Sequence, residues 1–157
     1  MDAFTVDDAY VDVGASSRDQ ARGIGIDMVN PVTMLKDPVE YGDSLLAGPE
    51  SGQRGSCAAL ARAVMNRPEA QGTVVAAFVV ESHIRHRGLM TVANAHGPFQ
   101  QTLPLDYPAP RSLAEMFGSV EERGLGTRYE GWPVETIDLR EVRALTRSIE
   151  SWIGGGR

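Results

Sequence analysis

The side chains best able to do chemistry are concentrated in Ser82-His83-Ile84-Arg85-His86-Arg87-Gly88, a turn carrying two imidazoles and two guanidiniums. An imidazole can move a proton near neutral pH or donate a lone pair to a metal. Either use needs convergent partners, and a turn histidine without them is simply solvated. Ser82 and His83 do not make a catalytic dyad, because neighbours at a strand end point to opposite sides. Glu81, just before them, is not assigned as a general base, and His96 stands apart from the turn. Cys57 falls on the apolar stripe of a predicted helix, so it reads as a buried core thiol and not as a nucleophile.

The turn closes the stretch Thr73–Glu81, which is apolar or β-forming almost throughout and reads as a central strand buried on both faces by helices. Ligands of open α/β sheets bind beyond the carboxyl ends of the strands, which makes the turn the place to expect a site. Upstream, Tyr10–Val13 alternates before Gly14 and predicts a short strand. Ser17 and Gln20 have capping-box spacing for a helix over Arg18–Arg22. Pro31–Lys36 and Ser44–Ala47 read as strands joined by an acidic Pro/Gly connection. Cys57, Leu60, Ala61, Val64 and Met65 form a one-sided stripe for a helix over Gln53–Asn66.

Beyond the turn a short helix is expected over Leu89–Ala95 and a strand over Phe99–Leu105, running up to Asp106. Ser112 with Glu115 opens a helix whose Leu113, Met116, Phe117 and Val120 share a face. Asp138 with Glu141 opens the strongest amphipathic helix, through Leu139, Val142, Leu145, Ile149, Trp152 and Ile153. Helices alternating with short apolar strands predict an α/β fold, a three-layer αβα sandwich, as one domain over 1–153 with a flexible tail at 154–157.

At 157 residues and 42% hydrophobic, the chain is long enough to bury a real core. A net charge of −6 and a pI near 5.0 argue against a general nucleic-acid or anionic-membrane binder. No apolar run approaches the ~20 residues of a membrane span. The acidic start, Met1-Asp2-Ala3, is unlike a signal peptide, and a cytoplasmic location is expected. The lone Cys57 excludes an internal disulfide and any multi-cysteine metal site.

Four stretches together resemble the tetrahedral (deblocking or glutamyl) aminopeptidase family of dinuclear-metal exopeptidases. Tyr10-Val-Asp-Val-Gly-Ala-Ser-Ser-Arg18, continuing to Gly25-Ile26 and Pro31-Val32-Thr33, is similar to that family's I-D-I-G-A-x-S-R segment. Leu46-Ala47-Gly48 through Leu60 is similar, without gaps, to L-A-G-R-A-L-D-D-R-A-G-C-A-A-L. Val80–Gly88 stands against V-Q-E-E-V-G-L-R-G. Arg128-Tyr-Glu-Gly-Trp-Pro-Val-Glu-Thr136, continuing to Asp138-Leu139-Arg140, stands against R-Y-x-H-T-P-V-E-T-x-D-L-R-D.

The resemblance implies a cytosolic α/β scaffold, here a partial zinc-exopeptidase-like catalytic domain. In the family it would carry two zinc or cobalt ions. The matched positions remove most of that site. The metal-bridging aspartate falls on Gly52, the glutamate pair (general base and metal ligand) on Ser82 and His83, and a metal-binding histidine on Gly131. Asp106 stands about where the remaining aspartate ligand would be, and it reads equally as a strand-end turn residue. His83 is the other position left to a metal. Two ligands without a bridging carboxylate make a weak site, because that carboxylate screens the repulsion between the two ions. No bound cofactor is expected.

Replacing three carboxylates by Gly52, Ser82 and His83, with Arg85 and His86 beside Arg54 and Arg87, turns a cation-attracting pocket toward anions. Arg54, His83, Arg85, His86 and Arg87 are therefore candidate anion-binding residues, aided by amides at the start of the helix near Gln53. The expected function is that of a degenerate, catalytically inactive aminopeptidase-like protein acting in binding or assembly. The alternative is a metal-dependent hydrolase completed by another subunit or by a polypeptide carrying the missing N-terminal half. Expected partners are further copies of the chain or that missing half, with neither nucleic acid nor membrane.

Overall fold

The computed structural model describes residues 11–32, 35–70, 72–80, 86–105 and 114–155. The chain divides into two compact units, Met1–Leu35 and Lys36–Arg157. The first contains α1 (Arg18–Gly23), which begins where the capping-box spacing places it. Ser17 Oγ accepts from the Gln20 amide at 3.2 Å, and Gln20 Oε1 accepts from the Ser16 amide at 2.8 Å, so the return arm closes one residue early. The strands expected at Tyr10–Val13 and Pro31–Lys36 do not form among the described residues. At the first, Gly14 donates its N–H to Asp12 Oδ1 at 2.8 Å, a local turn that competes with a ladder.

The second unit runs β1 (Val39–Tyr41), β2 (Leu45–Gly48), α2 (Ser51–Met65), α3 (Arg87–His96), β3 (Gln101–Thr102), α4 (Ala114–Phe117), β4 (Ser119–Val120), β5 (Glu135–Asp138) and α5 (Leu139–Ile153). With helices and two small sheets, it is a partial α/β domain. The main sheet is antiparallel in the order β1-β2-β5. Leu46 lies between Glu40 and Ile137, and Gly48 lies opposite Glu135. Leu46, Gly48, Glu135 and Ile137 therefore share one face, since alternate residues of a strand point the same way. On the opposite face the Tyr41 hydroxyl reaches across β2 to Thr136 Oγ1 at 3.2 Å.

Helix α2 packs on β5 and on α5, and the core joins Ala59 and Ala63 of α2 to Leu145, Ile149 and Ile153 of α5. The α5 face follows its sequence pattern, and Asp138 caps the helix by accepting the Arg140 amide at 2.8 Å. The α2 face does not. Its buried residues are Ser51, Gly52, Gly55, Ser56, Ala59 and Ala63, while Val64 and Met65 of the predicted stripe are 42% and 71% exposed. Cys57 is exposed as well, which corrects its reading as a core thiol. Close approach explains the inversion. A Cβ on Gly55 would stand 2.6 Å from Leu125 Cδ1 and 2.8 Å from Ile137 Cδ1, so this side of the helix is the one without bulk.

The central strand expected at Thr73–Glu81 is absent over residues 73–80, where Phe78 is 57% and Val80 74% exposed. Burial potential selects an apolar run but supplies no ladder partner, and a strand needs both. The strand over Phe99–Leu105 shrinks to β3, paired in parallel with β4 and extended by a bridge between Leu105 and Arg123. The helix expected through Val120 stops at Phe117. Gly118, at φ +61°, turns the chain so closely over Gln100 that no Cβ fits, and Val120 enters β4. The box residue Ser112 lies outside the described residues. No helix among the described residues is long and apolar enough to cross a membrane.

Candidate functional site

The sheet face under α2 carries one buried carboxylate, Glu135, which is only 7% exposed. It lies beside Ile137 on β5, where a charged side chain must find hydrogen bonds to be tolerated. It finds two. The Gly52 amide, in the first turn of α2, donates to Oε2 at 3.1 Å, and the Gly131 amide donates to Oε1 at 3.0 Å. The α2 N-terminus favours a negative charge at this point, because its first amides have no helical acceptor. The notional bridging-aspartate and histidine-ligand positions are thus brought together, joined through a third residue that pattern reading left without a role.

Both positions are shaped around the absence of a side chain. A Cβ on Gly52 would collide with Thr127 Oγ1 and stand 3.3 Å from both Cβ and Cγ2 of that threonine. Gly131 has open space around it but a φ of +77°, which strains any residue with a Cβ. Its neighbourhood is a turn in which the Trp132 amide donates to the Tyr129 carbonyl at 3.0 Å.

The remaining predicted residues are distributed over other elements. Arg54 is exposed in the first turn of α2, where its amide donates to the Glu50 carbonyl at 3.0 Å and its side chain lines a cleft of about 200 Å³. His86 is the N-cap of α3, with φ +55°, and Arg87 is its first residue. Ser82, His83, Arg85 and Asp106 lie outside the described residues. At the far end of β5, hydrogen bonds from the Arg140 side chain and backbone hold the Asp138 carboxyl well below the usual carboxylate range.

What Gly52 and Gly131 present is a pair of N–H donors closed on a carboxylate. A metal ion needs lone-pair donors, so these two positions do not fit the ligand set of a dinuclear centre. Among the described residues no three of His, Cys, Asp or Glu converge as a metal site would require. In the sequence Glu135 stands as a matched position of the fourth similar stretch with no role attached to it, and nothing there announces Thr127.

The family model for M42 glutamyl aminopeptidase matches residues 1–106, a span that contains the first three similar stretches but not Glu135 or Gly131. No curated protein and no solved structure matches the chain.

Proposed function

The chain belongs to the M42 glutamyl aminopeptidase family, and on that premise we propose that it is a catalytically inactive relative acting as a binding or assembly module. The observation that supports this most is the Glu135 carboxylate held between the Gly52 and Gly131 amides. Hydrolysis by a dinuclear centre requires carboxylate or imidazole lone pairs at such positions and a base to take the proton of the attacking water. Here one position has been packed against Thr127, and the glutamate pair has become Ser82 and His83. The ligand class assigned to the module is anionic, through Arg54, His86 and Arg87 together with His83 and Arg85. A cytoplasmic setting is part of the same proposal.

The deciding experiment is the zinc and cobalt content per chain after equilibrium dialysis, combined with an aminopeptidase substrate panel on the metal-loaded sample. Near-zero occupancy and no turnover are expected. Two tightly held ions with turnover would overturn the reading.

A further inference from the structure

Arg54 lines a cleft between the α2 face of the sheet and the start of α5, together with Leu46, Ala58, Ile137, Leu139 and Val142. Its volume, about 200 Å³, falls below the roughly 300–1,000 Å³ of sites that enclose whole small molecules. The size suits one branched aliphatic side chain and not a cofactor or a run of peptide. The walls come from elements locked together by the core, so the cleft exists before any ligand arrives.

Its single charged lining residue gives it direction. Arg54 has no ion-pair partner among the described residues, and its planar guanidinium matches a carboxylate in bidentate fashion. No carboxylate lines the cleft, so the ammonium group of a free amino acid would find no counter-charge there. We propose that the cleft binds the C-terminal residue of a polypeptide, with its aliphatic side chain among Leu46, Ile137 and Val142 and its carboxylate on Arg54. This rests on the reading of the chain as a binding module, and it reverses polarity: an aminopeptidase reads an amino terminus, whereas this cleft reads a carboxyl terminus.

The test is a titration of the full chain, in EDTA, with N-acetyl-L-leucine, followed by amide NMR shifts. Saturable shifts are expected at Arg54, Ala58 and Ile137. N-acetyl-L-leucinamide, which lacks the charge, should bind more weakly by roughly tenfold or more, and Arg54→Gln should weaken the acid by a similar factor. Ala58→Phe, at an exposed helix position on the cleft wall, should abolish binding while circular dichroism remains unchanged. Absence of saturable shifts, equal binding of acid and amide, or undiminished binding by Arg54→Gln would each overturn the proposal. Free L-leucine binding as tightly as the acetylated form would overturn the assignment to a chain terminus. Metal content is read on the same preparation before EDTA is added, so failure of the inactive-relative reading and failure of this one give different signals.

Discussion

Gly52 and Glu135 are 83 residues apart in sequence, and the amide of the first donates to Oε2 of the second at 3.1 Å in a buried setting. With Gly131 on the other oxygen, one carboxylate ties the start of α2 to the turn before β5. Glu135→Ala should therefore cost about 3 kcal/mol in urea denaturation, because it leaves two N–H donors without their acceptor. Glu135→Gln keeps one carbonyl oxygen and should cost about 1.5 kcal/mol. Equal stability of all three proteins would show that the two hydrogen bonds do not hold the site.

Gly52→Ala should destabilise the fold by about 1–3 kcal/mol, since the new methyl meets Thr127. Thr127→Ala in the same chain should recover much of that loss, and a double-mutant cycle would show the coupling. Gly52→Asp alone should unfold more readily than the parent without gaining zinc. Zinc uptake by that variant would contradict the account of position 52.

Ser56 is 2% exposed and its hydroxyl has no hydrogen-bond partner among the described residues. An unsatisfied buried hydroxyl carries a desolvation cost that the folded protein cannot offset. Ser56→Ala should raise stability by about 1 kcal/mol and increase the melting temperature. A lower melting temperature would mean that the hydroxyl is satisfied.

The Asp138 carboxyl is held low by the Arg140 side chain and backbone, so its contribution has a defined pH window. A depressed folded-state pKa stabilises fully above the unfolded carboxyl value of about 3.9, and the gain is lost as pH falls from there toward the folded value. The difference in urea midpoint between the parent and Asp138→Asn should stay constant from about pH 7 to 5 and narrow below about pH 4. A difference that persists unchanged into acid would assign the effect to cap geometry and not to charge.

Exposed Val64, Met65, Phe78 and Val80 give the second unit apolar surface that water does not favour. We propose that this surface drives self-association, in which case light scattering should show a dimer or larger species whose mass rises with concentration. Met65→Lys should shift that equilibrium toward the monomer. A constant monomeric mass in the parent would remove assembly from the proposed role.

Where chemistry acts between near neighbours, the sequence was readable. Ser17 with Gln20 and Asp138 with the α5 stripe placed two helix starts correctly, because caps and amphipathic faces are written within a few residues. Thr73–Val80 failed because pairing is decided by a distant strand. The α2 stripe failed for a related reason: the side that packs is chosen by how near Ile137 and Leu125 come, and pattern rewards bulk where this interface requires its absence. Of the site, the glycines at 52 and 131 could be marked by resemblance, whereas Glu135 needed the fold to bring it between them.

The small-residue side of α2 also determines which mutational survey can detect it. A scan that trims side chains to alanine has nothing to remove at Ala59 and Ala63, and it would pass over the part of the helix that packs on Leu145, Ile149 and Ile153. Substitutions that add methyl groups along the same residues would instead trace the α2–α5 seam position by position.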